Sequence, residues 1–176
     1  MAERFENGYK GHVAVVTGGG TGMGRALVRQ LTAQGCDVAT CDVIVDNLAE
    51  TVDICTKDGN PGAILTHMAD VSDETQVLSF RDAVAAWRPH VNVVFNNAGI
   101  GGGGSIMESD RTEWEKTFGV CWYGVYYNTR AFLPLLLKAP FGHVVNTSSV
   151  NGFWASLGPN TAHTAYSAAK FAVKGF

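Results

Sequence analysis

The chain has 176 residues, of which 46% are hydrophobic and 16% are charged, and its net charge is −3. This composition suits a globular domain with one core and excludes a strongly basic surface for nucleic acid. The start of the chain is polar and acidic, and no apolar run reaches membrane-spanning length, so we expect a cytoplasmic protein that does not bind membranes. The four cysteines and five histidines lack metal-site spacing, which predicts reduced thiols and no metal ion.

Strands and helices are predicted to alternate along the chain. Short apolar runs predict strands at residues 12–16, 36–43, 63–68, 91–95 and 142–147. Apolar residues at helical spacing predict helices at 26–31, 46–57, 73–87, 112–137 and 164–176, with Pro134 kinking or ending the fourth. Repeated units of this kind predict a parallel, doubly wound sheet, and residues 1–176 are interpreted as one dinucleotide-binding domain.

A glycine-rich segment at residues 17–24, with the sequence TGGGTGMG, joins the first strand to the first helix. Glycine permits a tight turn and the close approach of a pyrophosphate, while the free amides and the dipole of the helix attract the anion. The alternative is a turn that only starts a helix. The predicted phosphate-binding residues are Thr17, Gly18, Gly20, Thr21, Gly22, Met23 and Gly24.

Asp42 stands near the end of the second predicted strand, 18 residues after Gly24. A carboxylate at this place accepts hydrogen bonds from an adenosine ribose and repels the additional phosphate of NADP. We therefore predict that the cofactor is NAD and that NADP is disfavoured.

Tyr166 and Lys170 lie at positions i and i+4 of the last predicted helix, so both project to the same side. A phenol is a poor acid–base catalyst near neutral pH, and a nearby cation that stabilises phenolate makes it a usable one. Ser149 follows the fifth strand, where its hydroxyl would hydrogen-bond a carbonyl oxygen that gains charge during hydride transfer. Taken alone, the tyrosine–lysine pair would be an ordinary pair on a solvated helix face.

These residues make the chain resemble the short-chain dehydrogenase/reductase family. The resemblance spans residues 11–176 and rests on motifs that occur in the family's order. The motifs are the glycine segment, Asp70 with Val71, residues 96–99 (NNAG), residues 146–149 (NTSS), and Tyr166 with Lys170. The resemblance implies a Rossmann-type fold and an oxidoreductase that acts on a small alcohol or ketone.

The resemblance also implies roles for single residues. Tyr166 would exchange the substrate proton, Ser149 would position the carbonyl or hydroxyl, and Lys170 would bind the nicotinamide ribose and assist Tyr166. Asp70 and Val71 would flank the adenine. The further implied cofactor contacts are Asp42, Val43, Asn97, Ala98, Gly99, Tyr166 and Lys170.

The cofactor preference can be examined against the family pattern. Members that prefer NADP tend to carry a basic residue in the glycine turn or directly after the strand-two acid. Thr21 and Val43 occupy those places here, which favours NAD. Arg25 follows the last glycine and is interpreted as a solvated helix residue rather than a phosphate ligand.

The chain departs from the family pattern at Cys121, where the family has an asparagine that supports a water relaying protons to the lysine. A thiol is a weaker hydrogen-bonding group, so the relay would be weakened, or Cys121 is simply a small core residue. The segment between the catalytic serine and tyrosine is longer than the usual family gap. In it, Phe153 and Trp154 form either an apolar wall of the substrate pocket or a surface loop, and His163 is interpreted as a surface histidine.

The family continues beyond the helix that carries Lys170, so we expect the C-terminal part of the fold to be missing. Residues 144–147 would then form an edge strand, which favours aggregation or pairing with another chain. Lys170 would be poorly held on a half-built helix, and the 176-residue chain would be marginally stable and weakly active.

The predicted function is the NAD-linked oxidation of a secondary alcohol or reduction of the matching ketone. Two alternatives stay open: a non-catalytic NAD-binding module, and an epimerase or dehydratase of the related extended family, against which the NNAG motif argues. A homodimer or homotetramer is also expected, because the last two helices carry more apolar side chains than one face needs. Those side chains belong to Tyr123, Val125, Tyr126, Phe132, Leu136, Phe171 and Val173.

Overall fold

The computed structural model describes residues 8–102, 104–107, 110–155 and 162–176. The strands are β1 (Val13–Thr17), β2 (Asp37–Asp42), β3 (Ile64–Met68), β4 (Val93–Asn96) and β5 (His143–Asn146). The helices are α1 (Gly22–Ala33), α2 (Val45–Lys57), α3 (Glu74–Trp87), α4 (Arg111–Phe118), α5 (Gly124–Leu136) and α6 (Thr164–Gly175). A π-helical segment, Gly119–Tyr123, joins α4 to α5, and a 3-10 turn, Val150–Gly152, follows β5.

All pairings between neighbouring strands are parallel, and the described sheet has the order β3-β2-β1-β4-β5. Alternate residues of β1 enter different cores because successive side chains of a strand point to opposite faces. Val13 and Val15 pack in the core that includes Phe80 and Phe132 of α3 and α5. Val16 packs in the other core, with Val28 of α1. Helices thus cover both faces, and the predicted Rossmann-type, doubly wound parallel sheet is confirmed.

The fourth predicted helix differs from the observed one. Residues 112–137 were expected to form one regular helix, but α4 and α5 are separated by the π-helical segment. Apolar spacing does not reveal a π segment, because one additional residue per turn leaves a short pattern almost unchanged. Pro134 lies inside α5, two residues before the helix ends at Leu136. Because proline has no N–H to donate, the helix does not continue far beyond it.

The structure buries some of the apolar side chains that suggested self-association and leaves others exposed. Val125, Phe132, Leu136 and Val173 are buried within the chain, so they need no partner. Tyr123 and Phe171 remain 45% and 43% exposed. Part of this set therefore needs no partner, whereas Tyr123 and Phe171 leave apolar surface uncovered. The oligomeric state stays a prediction.

β5 is an outer strand of the described sheet, as expected, and it is paired on one side with β4. The expectation that Lys170 would be poorly held was wrong. Lys170 is only 2% exposed, its Nζ donates a hydrogen bond to Thr147 O at 2.7 Å, and its own carbonyl accepts one from Ser148 Oγ at 3.2 Å. Each of these two bonds joins a side chain to a backbone carbonyl, and together they hold α6 against the turn after β5.

The four cysteines of the chain are buried and are not joined in disulfides. Burial raises the pKa of both Cys36 and Cys41 to about 12, because a thiolate would lose its hydration in the core. No helix in the described part of the chain combines the length and the hydropathy needed to span a bilayer.

Candidate functional site

Thr17, at the carboxyl end of β1, connects the glycine turn to the NNAG motif. Its Oγ1 accepts hydrogen bonds from the backbone amides of Asn97 at 3.1 Å and Ala98 at 3.0 Å. The Asn97 side-chain amide donates to Thr17 O at 3.0 Å. Two segments about eighty residues apart in sequence are therefore locked together at the ends of neighbouring strands.

Gly18 and Gly24 make this packing possible. Gly18 has a φ of +69°, and a Cβ built on it would lie 2.9 Å from the Cα of Ala98. A Cβ on Gly24 would overlap the carbonyl of Gly18 and lie 2.7 Å from Asn97 Nδ2. Close approach of three backbone segments thus requires glycine at both positions, which explains the first and last glycines of the motif.

A cleft of about 560 Å³ opens at the carboxyl ends of the strands. It gathers most of the predicted cofactor-binding residues, namely Gly18, Thr21, Gly22, Met23, Gly24, Asp42, Val43, Asp70, Val71, Asn97, Ala98 and Gly99. Of the other predicted residues, Thr17 and Gly20 are not among the described residues that line the cleft. Ligands of open α/β sheets bind at this end of the strands.

Asp42 stands at the end of β2 with both carboxylate oxygens engaged. Oδ2 accepts a hydrogen bond from Gly20 N at 3.0 Å, and Oδ1 accepts one from Ile44 N at 3.1 Å. These bonds fix the orientation of the carboxylate at the cleft wall. Each oxygen keeps lone-pair capacity for a further donor, because a carboxylate offers about four acceptor sites.

Asp70 and Val71 follow β3 and line the same cleft. Asp70 Oδ1 accepts hydrogen bonds from the amide and hydroxyl of Ser72, at 2.9 and 2.7 Å. Val71 is buried, and its side chain occupies the space where a Cβ on Gly124 would stand. Asp70 therefore shapes a turn at the cleft, while Val71 anchors that turn against α5.

Of the three predicted catalytic residues, Ser149 lies after β5, and Tyr166 and Lys170 lie on α6. None of them is among the described residues that line the cleft. Lys170 Nζ lies 5.5 Å from the centre of the Tyr166 ring. A Cβ on Gly99, which lines the cleft, would stand 3.8 Å from Lys170 Nζ. Ser149 Oγ accepts a hydrogen bond from Asn151 N at 3.2 Å and so caps the 3-10 turn. The lysine therefore lies directly behind one end of the cleft.

Comparison with known proteins identifies the family. The model of the short chain dehydrogenase family matches residues 12–176. The chain belongs to this family. The putative oxidoreductase SadH of Mycobacterium tuberculosis is 40% identical over 168 residues, which are 96% of this chain and 59% of that protein.

Two solved structures of the short-chain dehydrogenase family are similar to the chain. One, from Burkholderia phymatum in complex with NAD, has a TM-score of 0.86 and 36% identity, over 95% of this chain and 58% of that one. The other, a metagenomic short-chain oxidoreductase in complex with NADP, has a TM-score of 0.84 and 32% identity, over 95% of this chain and 73% of that one. The chain thus spans little more than half of the first of these structures.

Cys121 occupies the place where the short-chain dehydrogenase pattern has an asparagine. It is fully buried in the π-helical segment, and its Sγ donates a hydrogen bond to Ile100 O at 3.3 Å. A Cβ on Gly99 would lie 3.8 Å from Cys121 Sγ as well as from Lys170 Nζ. The thiol is therefore more than a core filler, because it tethers the loop after β4 beside the lysine.

The ammonium of Lys170 is buried beside Cys121. Burial lowers the pKa of its ammonium, and a charged thiolate at Cys121 would act in the opposite direction. The hydrogen bond to Thr147 O compensates part of the lost hydration, because a carbonyl oxygen accepts well from a cation.

Sequence reasoning was wrong about Arg25. Its side chain is only 19% exposed and contacts the glycine turn and α2 instead of solvent. Its contacts with Thr51 and Glu50 show that α2 covers this side chain.

The described cleft also includes residues that no motif singled out, namely Cys41, Ile44, Asn47, Ala69, Ile100, Lys116 and Val120. Their contribution depends on how loops approach one another, which the sequence pattern does not specify.

The segment after β5 contains the aromatic residues that were predicted to form a pocket wall or a surface loop, and the histidine that was interpreted as a surface residue. Phe153 and Trp154 are 58% and 79% exposed, and Lys174 Nζ lies 4.1 Å from the centre of the Phe153 ring. His163 is half-buried, and its ring meets that of Tyr166 edge to face at 6.3 Å, so it is not a simple surface histidine. Residues 156–161 of this segment lie outside the described part of the chain.

Proposed function

We propose that this protein is an NAD-dependent oxidoreductase that interconverts a secondary alcohol and the matching ketone. The observation that carries the proposal is the buried Lys170, whose Nζ is 5.5 Å from the Tyr166 ring and adjoins Gly99 of the cleft. A cation and a phenol would thus stand beside a cleft that is lined by the glycine turn, Asp42 and Gly99.

The cleft fits a nicotinamide dinucleotide. Because Gly18 and Gly24 carry no side chain, the glycine turn packs closely against Asn97 and Ala98 at the start of α1. The free amides at the start of that helix would bind a pyrophosphate. Asp42 provides an oriented acceptor for ribose hydroxyls. When bound, the nicotinamide would supply or accept the hydride.

The chain's own residues would handle the proton. Tyr166 would donate a proton to the oxygen of the ketone in reduction and remove it from the alcohol in oxidation. Lys170 would stabilise the phenolate that remains, and Ser149 would donate a hydrogen bond to the same substrate oxygen. The backbone bond from Lys170 to Thr147 O keeps the ammonium on this side of α6.

An absorbance assay of NADH formation and consumption tests the proposal on a panel of secondary alcohols and ketones with the full-length protein. Turnover of at least one alcohol–ketone pair is expected. Binding of NAD without any turnover would instead support the alternative of a non-catalytic NAD-binding module. That alternative has one observation in its favour, because Cys121 replaces the asparagine of the family's proton relay.

The Asp42→Ala variant is expected to narrow the preference for NAD over NADP. The substitution removes an acceptor for the ribose and relieves repulsion of the additional phosphate, and each effect is worth on the order of 1–3 kcal/mol. Fluorescence titration of both reduced cofactors measures the preference. Asp53→Ala, on the solvated side of α2, is the matched control and should leave it unchanged. Equal affinity for both cofactors in the unmodified protein would contradict the role assigned to Asp42.

The Cys121→Asn variant is expected to turn over substrate about three- to tenfold faster than the unmodified protein. An amide N–H is a better donor to Ile100 O than a thiol, and a stronger neutral hydrogen bond is worth roughly 0.5–1.5 kcal/mol. Steady-state kcat, with thermal unfolding as a check of folding, measures the effect. Cys121→Ala has no donor and adds no bulk at this buried site, so it should be slower than the unmodified protein. A well-folded Asn variant slower than the Ala variant would refute this role for Cys121.

A further inference from the structure

Gly20, in the middle of the glycine turn, is held at both of its backbone polar groups. Its amide donates to Asp42 Oδ2 at 3.0 Å. Its carbonyl accepts from Arg25 through Nε, at 2.8 Å, and through Nη2. A Cβ on Gly20 would lie 2.7 Å from Asp42 Oδ2 and 2.8 Å from the Cβ of Asn47, so no free space surrounds the residue.

The guanidinium of Arg25 connects this turn to α2. Besides Gly20, Nε donates to Thr51 Oγ1 at 3.0 Å, and Nη2 donates to Glu50 Oε2 at 2.6 Å. Thr51 is fully buried, and its Oγ1 also lies 3.0 Å from Gly19 O. Side chains of α1 and α2 thus hold the carbonyl oxygens of Gly19 and Gly20.

We propose that Arg25 is a positioning residue for cofactor binding, which acts by holding the Gly20 carbonyl while Glu50 holds the guanidinium. The inference rests on the proposed binding of a dinucleotide in the cleft. Because the carbonyl of Gly20 is turned toward Arg25, the turn keeps a fixed shape in front of α1, where the pyrophosphate is expected. The role needs arginine, since only its planar fork offers donors to Gly20, Thr51 and Glu50 at once.

A direct electrostatic role for Arg25 makes the opposite prediction. Arg25 is not among the described residues that line the cleft, and its charge is balanced by Glu50 at 2.6 Å. If its charge simply attracted the pyrophosphate, removing Glu50 would strengthen binding of the anion. If Arg25 acts through geometry, removing Glu50 frees the guanidinium to move and weakens binding. The sign of the Glu50→Gln effect therefore separates the two roles.

Arg29 provides a matched control on the same helix. It lies one turn after Arg25 and forms a similar ion pair, with Asp58 at 2.7 Å, but both partners are well exposed. Its side chain contacts Asp58, and its carbonyl accepts hydrogen bonds from Asn60 and Thr32, all of them away from the glycine turn. Arg29→Ala therefore removes the same charge from α1 without disturbing Gly20.

The experiment titrates the full-length protein with ADP and with adenosine, followed by chemical shifts or calorimetry. In Arg25→Ala we expect the Kd for ADP to rise about tenfold, because a hydrogen bond network to a charged group is lost. The Kd for adenosine, which lacks the pyrophosphate, should stay within about twofold. Glu50→Gln and Arg25→Lys should both weaken ADP binding about threefold or more. Arg29→Ala should match the unmodified protein with both ligands.

Four outcomes would overturn the inference alone: unchanged ADP binding in Arg25→Ala, tighter ADP binding in Glu50→Gln, full ADP affinity in Arg25→Lys, or equal loss of ADP and adenosine binding in Arg25→Ala. Equal loss of ADP and adenosine binding would show that Arg25 only supports the fold. Failure of the unmodified protein to bind ADP would overturn the proposed function itself and this inference with it.

Discussion

Replacing Tyr166 with phenylalanine is expected to remove nearly all turnover while NAD still binds. The ring and its contacts with Lys170 and His163 remain, so that only the phenolic hydroxyl is lost. Removal of a positioned acid–base group costs roughly 10²–10⁴-fold in rate. The measurement is kcat with a substrate of the unmodified protein, alongside a fluorescence titration with NADH.

Tyr126→Phe is the matched control for this variant. Tyr126 lies on α5, where its hydroxyl meets Arg130 Nη1 at 3.3 Å and its ring packs near Phe176. Loss of this hydroxyl should change kcat by no more than about twofold relative to the unmodified protein, because the hydroxyl is exposed and outside the proposed proton path. Full activity of Tyr166→Phe would show that the proposed chemistry is wrong.

Gly24→Ala is expected to abolish dinucleotide binding and to destabilise the fold. The added methyl group would overlap the Gly18 carbonyl and press on the Asn97 amide at 2.7 Å, where rigid backbone cannot give way as a flexible side chain would. Overpacking of this kind costs typically 1–3 kcal/mol, and here it also moves the turn that receives the pyrophosphate. Denaturant unfolding with and without NAD measures both effects.

Gly175→Ala tests whether any added methyl group has this effect. A Cβ at Gly175 meets no neighbour within 4 Å, at the last residue of α6. We expect that variant to keep the free energy of unfolding and the stabilisation by NAD. If Gly24→Ala were stabilised by NAD as strongly as the unmodified protein, the close contact between α1 and the glycine turn would not matter for binding.

Most of the fold was predictable because its strands and most of its helices carry a local signal. Buried runs such as residues 12–16 and 91–95 give strands, and Asp73 caps α3 through the amides of Thr75 and Gln76. Predicted and observed ends differ by one or two residues at most strands and by more at α1. Helix α1 begins at Gly22, within the glycine motif itself. Glycine does not prevent a first helical turn there, and the amides of such a turn are free to bind an anion.

The candidate site was predictable where a motif encodes its own geometry, and less so where separate elements meet. The spacing of Tyr166 and Lys170 on one helix fixes their common side, and the structure places them accordingly. Arg25 was misjudged because its environment depends on α2, whose approach to the glycine turn has no signature in the residues around Arg25. The tether from Cys121 to Ile100 also depends on packing between distant segments.

The π-helical segment that contains Cys121 has a consequence for which sequence changes the fold can accept. α4 packs against α6, whereas α5 packs against α3 and β4. The extra residue is contained in this wide turn, so deleting one residue from Gly119–Tyr123 would restore a regular helix and leave α5 in nearly the same orientation relative to α4. Deleting a residue from α4 or α5 itself would instead turn one packed face away from its neighbour by about 100°. The π-helical segment is therefore the place between α4 and α5 where the loss of a residue would disturb the packing least.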